Sequence, residues 1–349
     1  MVERERERES VYIALNHADL TDDYNRHGGV VLLSFLEHCS LPSNIYVLYD
    51  KNLSNGKEKE EQENIQRYYE ITSKYDCRIE FIHCDLPKWV DQLPFIKKYW
   101  KGGGKGSLMR LLLPEILPSI DKIIYLDYDI VVQTDIGKMW EFPIENYLIG
   151  ACSDDLIFPS KSKIYQKKAE KRMLIPTGSY FNSGVLIMNL KKLRENEFTS
   201  KTLQFINTNQ YIDAPDEAAA NWFCQGKYLQ LPRKYNVFSW RQDINEYLSD
   251  CIVHYCGKKP WDIYLDTNAD KLYWDYLLRT PWCDDKRSIV EWVRQAPDVS
   301  KALPLLKSSF FTYTPGTRID KVISALDLLY HIFVDFFKIS LFVIRGGKN

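Results

Sequence analysis

Four short apolar runs punctuate the first 130 residues: VYIAL (11–15), NIYVLYD (44–50), CRIEFIHCD (77–85) and DKIIYLDYD (121–129). HGGVVLLSFLEHC, after the first run, carries its apolar residues at helical spacing, and a Lys/Glu/Gln-rich stretch over roughly 56–74 forms a polar helix after the second. GSLMRLLLPEILP, before the fourth, starts a helix that Pro114 or Pro118 must bend or stop. Strands alternating with helices predict an α/β fold on a parallel sheet, whose ligands sit beyond the carboxyl ends of the strands. The second half is less regular. NYLIGACSDD (146–155) and YFNSGVLIMNL (180–190) read as strands, PDEAAANWFCQG (215–226) as a helix stopped by Gly226, and CIVHYCGKKPW (251–261) as a strand entering a tight loop.

Within the fourth run, IIYLDYDIVV places Asp127 and Asp129 one residue apart among apolar neighbours. A buried carboxylate is costly unless paired or bound to a cation. Extended backbone puts both acids on one side and Tyr128 on the other. Two carboxylates that close repel unless a cation or a shared proton intervenes, and hard oxygen ligands suit Mg²⁺ or Mn²⁺. The alternative is a strand-end loop with two solvated acids. His254 follows another apolar strand, and a neutral imidazole completes a Mn²⁺ shell, although a lone His is more often a core residue. Gly257 lets backbone approach a ligand, and Lys258 or Lys259 is placed to meet phosphate oxygens.

The bulk numbers narrow the class. Hydrophobic residues are 45% and charged residues 27%, as in ordinary soluble proteins, and a formal net charge of -1 gives no global field for nucleic acid. Aromatics reach 14%, which suits stacking on sugars and equally a Tyr-rich core. The 8 Cys form no CxxC pair and read as free thiols of a reducing cytosol. MVERERERES (1–10) reads as a charged, solvated leader, because it lacks the apolar stretch of a secretory signal.

YLDYDIVV, YFNSGVLIMNL and HYCGKKPW, in that order and spacing, resemble the family 8 retaining glycosyltransferases, bacterial lipopolysaccharide galactosyl- and glucosyltransferases of GT-A fold; the likeness runs from Val11 to Trp261. It implies a mixed, mostly parallel sheet flanked by helices, forming a catalytic domain over 11–265 with a C-terminal helical extension over 266–349. It also implies a retaining hexosyltransferase that takes galactose or glucose from UDP-galactose or UDP-glucose, with Mn²⁺ (or Mg²⁺), to a glycan or glycolipid acceptor. Carried over by position, Asp127, Asp129 and His254 would ligate the metal, and Gly257 and Lys259 would hold the diphosphate. Ala14, Asp23, Tyr24, Arg110, Tyr128, Asn182 and Ser183 would contact the donor, while Asp154, Asp216 and Glu217 would surround the reacting sugar. Two departures stand out. The family's DDNY after the first strand is here NHADLTDDY, so either Asp23 and Tyr24 or Asn16 meets the uracil; and Glu217 stands where the family carries Gln, as a nucleophile or as a substituted contact.

Two rival readings use the same residues. DYDIV also fits the DxDx[TV] nucleophile motif of haloacid-dehalogenase-like phosphatases, with GACSDD as their distal acid pair, but that motif normally follows the first strand and leaves HYCGKKPW unused. A non-catalytic sugar-binding protein is the other. KGGGKGS (101–107) fails the phosphate-loop pattern and reads as a donor-covering loop or a plain exposed turn. At the C-terminus, Ser324, Asp327, His331, Asp335 and Lys338 line one face of an otherwise apolar helix within 320–349. That stripe suits a helix lying in the membrane interface, with peripheral placement on the inner, cytoplasmic face; the alternative is docking on the catalytic domain or on a partner chain in a homodimer.

Overall fold

The computed structural model describes residues 10–94, 96, 104–153, 180–210, 212, 214–257, 259–262 and 267–283. Residues 1–9 of the leader, Asp154, Lys258 and the 320–349 segment lie outside these residues. Ten strands are described: β1 Val11–Asn16, β2 Ser43–Tyr49, β3 Cys77–His83, β4 Lys122–Leu126, β5 Ile130–Val132, β6 Ile149–Ser153, β7 Phe181–Asn189, β8 Leu229–Gln230, β9 Val237–Phe238 and β10 Ile252–His254. The longer described helices are α1 Asn25–Glu37, α2 Glu58–Thr72, α3 Phe198–Thr208, α4 Pro215–Cys224 and α5 Asn268–Leu277.

Seven strands make one sheet in the order β3-β2-β1-β4-β7-β6-β8. The pairs β2–β3, β1–β2, β1–β4 and β6–β8 are parallel, while β7 runs antiparallel to both β4 and β6. The sheet is therefore mixed, because β7 enters from the opposite end. All nine residues of β7 are buried, as a central strand covered on both faces requires. Alternation sorts the side chains of β4 and β7 between two cores. Ile124, Leu126, Val185 and Ile187 join one with α1 and α5. Ile123, Tyr125, Leu186 and Met188 join the other with α3 and α4. Each fully buried aliphatic side chain contributes about 1.5–3 kcal/mol, so this two-sided packing fixes the sheet against slippage.

The fourth apolar run does not stay in one strand. β4 ends at Leu126, the chain bends through Asp127–Asp129, and β5 leaves for a second sheet of order β5-β10-β9. β5 pairs antiparallel with β10, setting Ile130 opposite His254. The expectation of acids at a strand end is met, but as a bend between sheets and not as continued alternation. GSLMRLLLPEILP also differs from a simple helix: Gly104–Leu112 is a 3₁₀ segment, followed by a short α-helical turn, Leu113–Ile116, with Pro114 in its first turn and its end before Pro118. α4 stops at Cys224, and both Gln225 (φ 48°) and Gly226 (φ 71°) take left-handed backbone.

Residues 268–283 pack back onto the first of these cores. Thr267 and Asp270 form a capping box at the start of α5. Trp274 Nε1 donates to Pro260 O at 3.0 Å, the Tyr255 hydroxyl donates to Ala269 O, and Trp282 Nε1 donates to Asn64 Oδ1 at 2.9 Å. Tyr255 and Pro260, just after β10, are thereby held by α5. Among the described residues no helix is long and apolar enough to cross a membrane.

Candidate active site

The site lies where β4 gives way to β5, beside the amino end of β7 and the carboxyl end of β10. Asp127 N–H donates to Gly184 O at 2.8 Å and Tyr255 N–H donates to Asp129 O at 2.8 Å. Each acid is thus pinned to a different neighbouring strand. Side-chain oxygens of Asp127 and Asp129 and a ring nitrogen of His254 lie within 4.8 Å of one another. Tyr128 turns the other way, stacking on His17 at 5.3 Å and meeting the Tyr68 hydroxyl at 3.1 Å.

Both acids have a basic partner. Arg110 Nη2 donates to Asp127 Oδ1 at 2.7 Å, and Lys259 Nζ donates to Asp129 Oδ2. His254 Nε2 stands 3.3 Å from Asp129 Oδ1. Burial pushes the Asp127 carboxyl above its ordinary range and the Asp129 charge adds to this, with Arg110 opposing. Burial acts the same way on Asp129, but Lys259 and His254 outweigh it and hold that carboxyl well below the ordinary range. Arg110 and Lys259 are in turn held charged: burial alone would lower both, and the acids around them raise them.

The donor set fits a hard divalent cation: two carboxylates and an imidazole nitrogen converging on one point. Gly184 supports this fit. A Cβ at that position would stand 2.8 Å from Asp127 Oδ2 and 2.4 Å from His254 Cε1, so only the missing side chain lets β7 pass this close. A second cluster, Asp50, His83 and Asp85, also converges within 4.8 Å. There Lys105 Nζ sits 2.8 Å from Asp50 and Lys51 N–H donates to His83 Nδ1 at 2.9 Å. The neutral His83 ring must then carry its proton on Nε2, facing Asp85 at 3.1 Å, and offers a cation no lone pair there.

Across from the acids, α4 brings in Asp216 and Glu217. Ala214 takes left-handed backbone (φ 44°) and turns the chain into Pro215. Asn221, one helical turn after Glu217, docks the helix: its Nδ2 donates to Phe181 O at 2.8 Å and its Oδ1 accepts from Phe181 N–H at 2.8 Å. Glu217 Oε2 consequently accepts from Asn182 Nδ2 (3.0 Å), Ser183 N–H (2.9 Å) and Ser183 Oγ (3.3 Å). Asp216 Oδ2 lies 3.3 Å from Arg110 Nε. Arg110, whose Nη1 also donates to Ser183 Oγ at 3.0 Å, ties the 3₁₀ segment, β7, α4 and Asp127 together.

Of the residues named from sequence, Arg110, Asp127, Asp129, Asn182, Ser183, Asp216, Glu217, His254 and Lys259 meet in this one network. Gly257 takes left-handed backbone (φ 92°) between His254 and Lys259, as a tight loop there requires. Tyr24 lies at the flank, parallel to Tyr128 at 6.3 Å and edge-on to Trp261 at 5.6 Å. Asp23 points into solvent, its side chain 97% exposed and 3.9 Å from Arg26. Ala14 is wholly buried within β1 between Tyr46 and Tyr125. Asn16 is also buried; its Nδ2 donates to Gly106 O, and its Oδ1 lies against the Tyr125 hydroxyl, which also contacts Asp127. Sequence reasoning missed Gly184, Asn221 and Asn236. The FNSG step carried a signal for the first, since Gly in a strand marks close backbone approach.

The phosphatase reading of DYDIV does not survive, because the acid pair follows the fourth strand of the sheet and faces His254 and Lys259. General stress protein A of Bacillus subtilis is 25% identical over 283 residues, 75% of this chain and 92% of that protein. The lipopolysaccharide 1,2-glucosyltransferase of Escherichia coli is 27% identical over 194 residues, 51% of this chain and 56% of that protein. Among solved structures, the galactosyltransferase LgtC in complex with donor and acceptor sugar analogues superposes with a TM-score of 0.59 at 19% identity, over 78% of this chain and 96% of LgtC. The bifunctional glycosyltransferase WbbM matches with a TM-score of 0.59 at 18% identity, over 84% of this chain and 52% of WbbM. Residues 18–263 match the sequence profile of glycosyl transferase family 8, and this chain belongs to that family, as a glycosyltransferase of GT-A fold.

Proposed function

We propose that the chain is a retaining hexosyltransferase that moves galactose or glucose from a UDP-sugar to a glycan or glycolipid acceptor of the lipopolysaccharide kind, with Mn²⁺ or Mg²⁺. The observation that carries this reading is the convergence of Asp127, Asp129 and His254 beside two cations, the buried Arg110 and the half-buried Lys259, and opposite the Asn182–Ser183–Glu217 cluster. Relatives that act on lipopolysaccharide or on galactose support the substrate class.

Asp127, Asp129 and His254 would hold the cation, which when bound supplies charge neutralisation at the diphosphate leaving group. Lys259 and Gly257, on the same loop, would face that group, and Lys259 would add a second positive charge where negative charge develops. Arg110 holds Asp127 and Ser183 in register. Asn182, Ser183 and Asp216 line the sugar side, with Asp154 assigned there by position. Tyr24, Tyr128 and the carboxyl end of β1 form the flank for the nucleotide. Retention admits two routes, a covalent intermediate on a carboxylate or front-face return through a short-lived ion pair. Glu217 Oε2 already accepts three hydrogen bonds from Asn182 and Ser183. Such commitment weakens it as a nucleophile and favours front-face return, with Glu217 as organiser of the sugar side.

Trp240 marks the acceptor approach. Trp240 is 44% exposed and stacks on Phe238 at 5.6 Å, and Phe238 meets the His254 ring at 5.6 Å. An exposed aromatic face this near the metal ligand offers a platform for the apolar face of a pyranose. Residues 320–349 would then hold the enzyme at the inner face of the membrane, where a glycolipid acceptor is concentrated.

The test is a panel of UDP-sugars with Mn²⁺, scoring UDP release without acceptor, in the intact protein and in Asp129→Asn. Release from UDP-galactose or UDP-glucose that disappears with chelator and in the variant is expected. Release from no UDP-sugar, or release indifferent to chelator, would overturn the reading.

A further inference from the structure

We infer that Asn236 is a positioning residue that fixes the tautomer of His254, and that a relay of two amides sets this from Glu217; the inference rests on the metal-site reading above. Asn236 follows the 3₁₀ turn Arg233–Tyr235, is 5% exposed and enters no step of the proposed reaction. It stands between the sugar side and the metal side. Its Nδ2 donates to Asn182 Oδ1 at 2.8 Å, and its Oδ1 faces His254 Nδ1 at 2.9 Å.

The polarity of the relay follows from its fixed ends. A carboxylate only accepts, so Asn182 must turn its NH₂ toward Glu217 Oε2. Its Oδ1 then faces the other way, where Gly184 N–H, an obligatory donor, reaches it at 3.1 Å. Asn236 must answer that oxygen with its own NH₂, which leaves its oxygen for the His254 ring. A neutral imidazole facing an acceptor through Nδ1 carries its proton there. Nε2 faces Asp129 Oδ1 at 3.3 Å, and a cation held by that acid would take the Nε2 lone pair. His83 shows the opposite outcome of the same rule, since a backbone N–H at its Nδ1 puts the proton on Nε2. Both amides are buried, so water does not substitute for a missing partner.

The Asn236 position thereby supplies what metal-bound histidines generally need, an acceptor on the remote ring nitrogen, and loss of such a partner typically costs about 10–100-fold in metal affinity. Two consequences separate this role from simple packing. The proton is on Nδ1 before any metal binds. Glu217→Gln keeps the relay intact, because the Gln oxygen accepts from the same three donors.

The test uses the full chain, metal-free and uniformly ¹⁵N-labelled, with the His254 ring signal assigned by its loss in His254→Asn. Long-range ¹H–¹⁵N spectra should show a proton on His254 Nδ1, with Nε2 the nitrogen that shifts when Mn²⁺ is added. Asn236→Leu should move the ring toward the Nε2–H form common in water and weaken Mn²⁺ binding by about 10–100-fold. Asn236→Asp retains an acceptor at His254 but sets a carboxylate oxygen against Asn182 Oδ1, so it should keep the Nδ1 proton, cost no Mn²⁺ affinity and raise the donor KM. An Nδ1 without a proton in the unaltered metal-free protein would overturn the inference, as would unchanged Mn²⁺ affinity in folded Asn236→Leu. If the unaltered protein shows the Nδ1–H form yet binds no Mn²⁺, the metal-site reading fails and the relay stands.

Discussion

Gly184→Ala adds one methyl group at the point where β7 passes Asp127 and His254. The new Cβ would stand 2.4 Å from His254 Cε1, 2.8 Å from Asp127 Oδ2 and 3.0 Å from His254 Nδ1. Carbon–carbon contacts settle at about 3.5 Å or more, so the imidazole must retreat by about 1 Å. Gly184 is an ordinary strand residue without positive φ, so the backbone accepts Ala and the whole effect is steric. Retreat breaks the 2.9 Å contact with Asn236 and turns Nε2 away from Asp129. Overpacking of this kind costs about 1–3 kcal/mol of stability, while a ligand misplaced by about 1 Å costs on the order of 10²-fold in turnover. The expected result is a protein that still folds, with Tm lowered by a few degrees, Mn²⁺ affinity reduced, and UDP release from the donor sugar down by about two orders of magnitude. Calorimetric Mn²⁺ titration and a UDP-release assay read the two effects separately. Unaltered Mn²⁺ affinity in the folded variant would refute the steric argument, whatever the change in Tm, because the strand would then have yielded and the ligands would not.

Glu217→Gln should retain most of its turnover, since an amide oxygen accepts from Asn182 and Ser183 as the carboxylate does; a fall of several orders of magnitude, together with a glycosyl adduct trapped on unaltered Glu217, would establish a covalent route instead. Trp240→Ala should raise the acceptor KM and leave acceptor-independent UDP release unchanged, and a loss of both would place Trp240 in structural support. Truncation before Lys321 should abolish co-sedimentation with anionic vesicles and keep UDP-sugar hydrolysis, whereas equal sedimentation of both forms would remove the membrane anchor.

The first half of the sheet was legible because each of its strands is a short apolar run bounded by helix-patterned sequence, and parallel pairing follows from that alternation. The acid pair was legible for an energetic reason: two carboxylates inside an apolar run need a cation, and the structure supplies Arg110 and Lys259. The break after Leu126 was not legible, because IVV continues the apolar run unchanged and only its pairing with β10 assigns it to a second sheet. The Lys259–Asp129 contact joins residues 130 positions apart. Asn236 gives no local signal at all, since its role is defined by Asn182 on β7 and His254 on β10. Asp23 shows the reverse case: a motif-like acid that the fold leaves in solvent.

Lys259 presents the last physical question, because the same ammonium that suits a diphosphate already holds Asp129. Its Nζ also donates to Tyr255 O at 2.9 Å, and its side chain is 28% exposed, so it sits at the edge of the site with room to turn toward solvent or ligand. In the donor-free enzyme it would compete with a divalent cation for Asp129. With donor bound, the diphosphate would offer the ammonium a stronger partner and leave Asp129 to hold the cation. One side chain would then make cation binding and donor binding mutually reinforcing, a coupling of the kind that linkage requires to be reciprocal. Lys259→Met keeps much of the side-chain bulk and removes the charge. Mn²⁺ affinity of the donor-free protein should rise several-fold, while turnover should fall by about 10²–10³-fold, the usual loss when one donor to a developing anion is removed. The opposite signs are the diagnostic, because a merely structural lysine would lower both together with Tm. A parallel fall of Mn²⁺ affinity and turnover would show that Lys259 supports Asp129 and does not compete for it, and the diphosphate would then need another cation.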